Sequence, residues 1–326
     1  MIDKGGILPR PSLMLSKQKV YHISEACSPH DSDGMITLPV TVANLITAAL
    51  DSPIDRVEPL GGSFGAQLAR VTIGDQRFAL KWAAGGKPAA MVAAEARGLQ
   101  VLAATNTIRV PAVVFTCEAT ITQPAIVLSE WIDSDGRAPD PVRLGEQLAA
   151  LHRCTAPAYG LDHDNFIGGT PQHNGWMQDW ITFFRERRLW PQIELAERQR
   201  LLPAHRRQAL ERVVSRLEKW LGGVPRCPSL IHGDLWSGNV IAAARGTPVL
   251  IDPAISYSDR EAELAFTELF GGFSSRFYAA YQAAWPLEPG YTERRDLYNL
   301  YHLLNHLNLF GEGYGAQVDA IARRYG

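Results

Sequence analysis

Cysteine is scarce in this 326-residue chain: Cys27, Cys117, Cys154 and Cys227 are the only four, widely spaced, with no Cys-x-x-Cys pair. That spacing excludes a disulfide framework and a cysteine zinc site, and makes a reducing cytoplasm the expected home. Long apolar runs are missing too, and "ILPRPSLMLSKQ" near the start lacks the apolar stretch of a secretory signal. Neither a membrane span nor export is therefore expected. Nor does either charge dominate, since 32 Lys and Arg stand against 34 Asp and Glu. Without a broad basic face, nucleic acid and anionic membrane surfaces are not expected as partners. What is present is apolar residue: 46% of the chain is hydrophobic, enough to bury the core of one large domain or of two lobes.

Residues 1 to 34 carry turn formers such as "CSPHDSDG" and little periodicity, and are expected to form a poorly ordered extension, with Met35 as a candidate start. "LPVTVANLITAAL" then reads as a short helix. In "RVEPLGGSFGAQLARVTIGDQRFALKWA", turn signals at Gly61-Gly62 and Gly74-Asp75 separate three alternating runs, the pattern of an antiparallel meander. The third run puts Phe78, Leu80 and Trp82 on one face and Lys81 on the other, between small Ala79 and Ala83. "PAAMVAAEARGLQVLAAT" reads as a helix with Pro88 near its start and Glu95 inside it, and "AIVLSEWID" as a buried strand that turns polar at Ser129 and Glu130. From about residue 140 the spacing is helical: Leu144, Leu148 and Leu151; Leu210, Val213, Val214, Leu217 and Leu221; and finally "RRDLYNLYHLLNHLNLF" as an amphipathic helix. The fold class expected is α+β, with a small antiparallel-sheet N-lobe over 35–129 and a larger, mainly helical C-lobe over 130–326.

The polar stretch "LIHGDLWSGNV" (230–240) is too rich in turn formers for a regular helix and reads as a loop. Thirteen residues past Asn239, Asp252 ends the apolar run "VLID", and a hairpin through "ARGTP" would bring the two together. Phosphoryl transfer from ATP needs such a set. Asp234 suits the carboxylate that orients an attacking hydroxyl and takes its proton. Asn239 and Asp252 suit Mg2+, which completes an octahedral oxygen shell with phosphate and water. The glycine turn at Gly61-Gly62 can approach phosphate through its backbone N–H groups, Lys81 can hold the phosphates, and Glu95 can hold Lys81. Glycine turn, Lys, Glu, apolar strand, His-x-Asp-x-x-x-x-Asn and Asp follow the order of parts in a protein-kinase-like fold. His232 reads as a structural residue bonded to backbone, and Trp180, Phe183 and Phe184, with Trp176, as core on one helix face. Arg185, Arg187 and Arg188 read as a solvated flank.

Three stretches resemble the fructosamine kinases, or ketosamine-3-kinases, of the aminoglycoside phosphotransferase-like branch of that fold. They are "YGLDHDNFIGGTPQHNGWMQDWITFFRERRL" (159–189), "LIHGDLWSGNV" (230–240) and "IDPAISYSDREAELAFTELFGGF" (251–273), and the likeness runs from about residue 36 to the C-terminus. The resemblance implies transfer of the ATP γ-phosphate to the 3-hydroxyl of a ketoamine sugar, a fructosamine or ribulosamine, on a glycated amine or protein lysine. The unstable product would release the amine, a deglycation repair. Carried over by position, Asp234 is the base, Asn239 and Asp252 the metal ligands, Lys81 the phosphate lysine and Glu95 its partner. Gly61, Gly62 and Ser63 fall in the nucleotide loop, Glu130, Trp131 and Ile132 in the hinge that meets adenine through backbone groups, and Trp236 beside the sugar. One position departs from the pattern: Gly65 stands where the family usually has Asn. A monomer is expected. The generic signature also fits an aminoglycoside or choline-type phosphotransferase, and Gly65 leaves open a pseudokinase-like binding protein.

Overall fold

The computed structural model describes residues 37–326, so the extension expected over 1–34, and Met35, lie outside the described residues. Helix α1 (Val40–Leu50) lays Val42 and Ile46 on one face of a five-stranded antiparallel sheet. The strands are β1 (Arg56–Ser63), β2 (Ala66–Ile73), β3 (Gln76–Ala83), β4 (Val113–Cys117) and β5 (Ala125–Glu130), in the order β1-β2-β3-β5-β4. Alternation decides which side chains meet α1: Ala69, Val71 and Ile73 from β2, and Phe78, Leu80 and Trp82 from β3. Helix α2 (Gly86–Ala104) covers part of the opposite face, where Ala89, Val92 and Ala96 meet Ala83, Ala125 and Val127. Small residues on both sides let the helix approach the sheet closely.

The first turn of the meander is not at Gly61-Gly62. The register shifts between Pro59 and Gly61, so Leu60 is the extra residue of a bulge within β1, and Gly61 and Gly62 stay in the ladder opposite Leu68 and Gln67. Phe64 and Gly65 make the reversal, with φ of 50° and 90°, between paired Ser63 and Ala66. Positive φ at both central residues is the type I′ requirement. The Gly74-Asp75 signal does mark the second turn, between paired Ile73 and Gln76.

Past Glu130 the chain is mainly helical. Helix α3 (Pro141–His152) is capped by Asp140, whose carboxylate accepts from the N–H groups of Val142 and Arg143, with Pro141 at the first helical position. A hairpin of β6 (Asn165–Ile167) and β7 (Thr170–Gln172) precedes α4 (Trp180–Phe183), a π-helical turn (Phe184–Leu189) and α5 (Trp190–Arg198). After α6 (Ala204–Ser215) and α7 (Leu217–Leu221) come four short strands: β8 (Ser229–Ile231), β9 (Val240–Ala243), β10 (Thr247–Leu250) and β11 (Ser256–Ser258). Helices α8 (Arg260–Leu269), α9 (Ser275–Ala284), α10 (Tyr291–Phe310) and α11 (Gly315–Tyr325) complete the lobe. The amphipathic helix expected last is α10, a largely buried central helix that shares one core with Leu210, Val213 and Leu217, and α11 follows it and packs on α6.

The two lobes are not separate bodies joined by a linker. Leu99 and Leu102 of α2 sit in one apolar cluster with Leu144, Leu148, Leu230 and Leu250 of the C-lobe. Gly98 of the same helix rests on the loop after β10, where a Cβ would stand 3.0 Å from Pro253 Cγ. Among the described residues, no helix is long and apolar enough to cross a membrane.

Candidate active site

Strand β8 leads into the loop His232–Asn239 and β10 leads into Asp252. The two loops are stapled together. Ala254 N–H donates to His232 O at 2.8 Å, and Ile251 N–H donates to Asn239 O at 3.1 Å. Gly233, at φ 86°, permits this approach, since a Cβ there would lie 2.0 Å from Ala254 O. His232 is fully buried, and burial lowers its pKa, so the imidazole is neutral. With the proton on Nε2 it donates to Ile251 O (2.9 Å) while Nδ1 accepts from Asp234 N–H (3.3 Å). This is the structural role expected of it.

Glu263 of α8 fastens the loop from below. Only 2% exposed, it accepts from Gly233 N–H at 2.6 Å, His232 N–H at 3.1 Å and His152 Nε2 at 2.8 Å, and His152 Nδ1 meets the Tyr281 hydroxyl at 2.8 Å. Burial alone would raise its carboxyl, but the bond from His152 and the loop N–H groups hold it below the ordinary range. Sequence reading passed over Glu263 and His152, because each looks like an ordinary helix residue until burial is known.

Above the loop, Asn239 Nδ2 donates to Asp234 O (2.8 Å) and to Asp234 Oδ2 (3.2 Å). Burial, followed by the charge of Asp252, pushes the Asp234 carboxyl up to about 7 against the opposing Asn239 bond. Asp252 itself has a left-handed φ of 54°, a strained conformation for a non-glycine residue. Its Oδ1 accepts from Lys81 Nζ at 2.9 Å, and Lys81 also donates to Glu95 Oε2 at 2.5 Å. Two carboxylates thus share one ammonium: Lys81 holds Asp252 low, while burial pushes Glu95 up. Among the described residues no three His, Cys, Asp or Glu side chains cluster as a metal cage. The oxygen donors available are the Asp252 carboxylate and the Asn239 amide, hard ligands of the kind Mg2+ takes when phosphates and water fill the remaining positions.

In the sheet, Gly61, Leu68, Lys81 and Val127 lie in one row across four strands. Gly62 cannot carry a side chain, since a Cβ would stand 2.1 Å from Ala66 O. Gly65 is equally constrained: its φ is positive, and a Cβ would meet Pro88 Cγ at 2.8 Å. The turn itself would accept Asn or Gly, but the contact with Pro88 of α2 leaves room only for Gly. In the hinge, Arg109 (2.5 Å) and Ala112 N–H (3.3 Å) occupy the Glu130 side chain, and the Trp131 N–H donates to Arg77 O at 3.3 Å. The Trp131 indole lies under the Arg70 guanidinium, 5.2 Å away. The Ile132 N–H has no acceptor among the described residues. The half-buried Trp236 ring covers Gly238, where a Cβ would stand 2.2 Å from the indole.

Trp180, Phe183 and Phe184 are core, whereas Trp176 lies ahead of α4 and is half exposed. Arg188 is a correction to the solvated flank. It is 4% exposed, donates to His173 O (2.6 Å) and Asn174 Oδ1 (2.9 Å), and lies over the rings of Phe183 and Tyr301. Burial lowers its pKa to about 10, still charged at neutral pH. The π-helical turn that carries it displaces the arginines from the face a regular helix would give them.

The fructosamine kinase family model matches residues 39–325. A probable ketoamine kinase of Synechocystis is 44% identical over 236 residues, 72% of this chain and 78% of that one. The chloroplastic protein-ribulosamine 3-kinase of Arabidopsis thaliana is 39% identical over 72% of each chain. A crystal structure of a fructosamine-3-kinase candidate from Thermobifida fusca superposes with a TM-score of 0.79 at 32% identity, covering 87% of this chain and 97% of that one. An aminoglycoside phosphotransferase in a ternary complex with ADP and hygromycin B shares the fold alone, at 16% identity and a TM-score of 0.59, over 87% of this chain and 98% of that one. The two-lobed α+β architecture is thus kinase-like, and the chain belongs to the fructosamine kinase family.

Proposed function

We propose that the protein is an ATP-dependent kinase that phosphorylates the 3-hydroxyl of a ketoamine sugar, a fructosamine or ribulosamine, on a small amine or a protein lysine. The observation that carries this reading is that Lys81 binds Glu95 (2.5 Å) and Asp252 (2.9 Å) while Asn239 binds Asp234 (3.2 Å), the two sets being joined by the Ile251 N–H to Asn239 O (3.1 Å). Asp234 orients the sugar hydroxyl and takes its proton, and a carboxyl raised to about 7 is a better acceptor than a solvated aspartate. Lys81, held by Glu95, contacts the phosphates, and backbone N–H groups of Gly61, Gly62 and Ser63 lie over them. Mg2+ would be held by Asp252 and Asn239 and supplies neutralising charge on the phosphates. Adenine meets the hinge at Glu130 to Ile132 through backbone groups, and Trp236 packs on the apolar face of the sugar. The nucleotide belongs to the lobe over 35–129 and the acceptor to that over 130–326. The enzyme acts as a cytoplasmic monomer in deglycation.

ATP turnover across fructosyl-lysine, ribulosyl-lysine, erythrulosyl-lysine, kanamycin and choline tests the substrate class, with 31P NMR locating the ester. Activity confined to kanamycin or choline overturns it. In Asp234→Asn, turnover is expected to fall by about 10²-fold or more with nucleotide binding retained, and substantial remaining turnover would refute the role of Asp234.

A further inference from the structure

Phe64 is held in an unfavourable place. Its φ of 50° lies in the left-handed region, where a type I′ turn prefers Asn or Gly and a bulky side chain is strained. The ring is 37% exposed and reaches across the cleft to the turn between β6 and β7. A Cβ on Gly169 would stand 2.5 Å from its Cδ1, and one on Gly168 would stand 3.7 Å from its Cε2. Beside this contact, Lys87 Nζ donates to Gly169 O at 2.9 Å.

The hairpin under the ring is fixed in place. Asn165 Nδ2 donates to Ile255 O (2.8 Å) and Gln172 Nε2 to Ala254 O (3.1 Å), three and two residues past Asp252. The Tyr301 hydroxyl holds Gln172 Oε1 at 2.8 Å. On the other side, the strand leading to Phe64 places Gly61 in the row that contains Lys81. The Phe64 contact therefore bridges an N-lobe turn, whose strand is in register with Lys81, and a C-lobe hairpin bonded just past Asp252, and Lys81 and Asp252 are themselves paired at 2.9 Å.

Given the phosphotransferase reading of the cleft, on which this rests, we propose that Phe64 is a positioning residue that seals the reacting phosphate from water by seating on Gly168-Gly169. Transfer forms an O–P bond from the sugar hydroxyl to the γ-phosphorus and breaks the bond to the departing ADP, with the hydroxyl proton passing to Asp234. Hydrolysis is the same exchange with a water oxygen, its proton leaving by the same route, and yields inorganic phosphate. An apolar ring over the site slows the second reaction without serving the first chemically. Strain at Phe64 is retained because the ring, not the turn, is what the position requires.

Phe64→Asn separates the two, because Asn relieves the turn and removes the ring. The expected result is an unchanged or raised melting temperature, with the ratio of ATP hydrolysed to sugar phosphorylated up by about tenfold. Phe64→Tyr keeps the ring and is expected to keep the wild-type ratio. Gly169→Ala, which drives a methyl into the ring, is expected to leak as Phe64→Asn does, and the double variant no further. Wild-type transfer with an unchanged ratio in both Phe64→Asn and Gly169→Ala overturns the seal alone. No transfer by the wild-type chain to any ketoamine, kanamycin or choline overturns the phosphotransferase reading and the seal with it.

Discussion

At the scale of single residues, the candidate site divides by what a motif can carry. Lys81, Asp234, Asn239 and Asp252 could be singled out because phosphoryl transfer needs fixed residue types at fixed spacing. Glu263 and Arg188 were not, because burial is a collective property: nothing in "DREAEL" or "FRERRL" says which charge the fold will enclose. Glu263 gives a test with a definite sign. Its folded carboxyl lies below the ordinary 4.5, so its contribution is present above that value and is lost as pH falls through the depressed one. Glu263→Gln is expected to lower stability by about 2 kcal/mol at neutral pH. The gap from wild type should narrow in chemical denaturation below pH 4.5, and a gap constant with pH would show that charge at Glu263 is not the cause. The same substitution loosens the His232 and Gly233 N–H groups, so kcat should fall more than the KM for ATP rises.

Among the elements, strands and helices followed their apolar periods, and the misplaced feature was a turn. Gly61-Gly62 looks like a reversal, but glycine also suits a strand beside a bulge, here at Leu60, and local sequence does not separate the two uses. Phe64-Gly65 was a weak signal because an aromatic residue is a poor choice for positive φ. The structure makes Gly65 the less replaceable of the two. Gly65→Ala is expected to lose about 1–2 kcal/mol from strain at positive φ and from contact with Pro88. Thermal melts would register this, and an unchanged melting temperature would mean that the turn relaxes freely. The π-helical turn at Phe184–Leu189 had no signature at all, since the periodicity around it satisfies an ordinary helix equally well.

For the whole molecule, the change from alternating to helical spacing near residue 140 announced two lobes, and the structure has a sheet lobe and a helical lobe. It gave no hint that α2 belongs to both, because an alanine-rich helix shows little preference for what it packs against. Leu102 is fully buried among C-lobe leucines, so Leu102→Ala is expected to cost about 3 kcal/mol. Tryptophan fluorescence and far-UV circular dichroism should still report one shared transition. Two separated transitions would show that the lobes unfold independently.

Gly98 marks where that double membership becomes a constraint on sequence change. By helix propensity alone, an interior glycine is the first residue to replace, with Gly98→Ala offering about 1 kcal/mol. Here the added methyl would meet Pro253, next to the strained Asp252. A substitution chosen to firm the helix would wedge it away from the loop it supports, so a catalogue of stabilising consensus changes would rank as an improvement the position where gain in melting temperature and loss of turnover are most directly opposed.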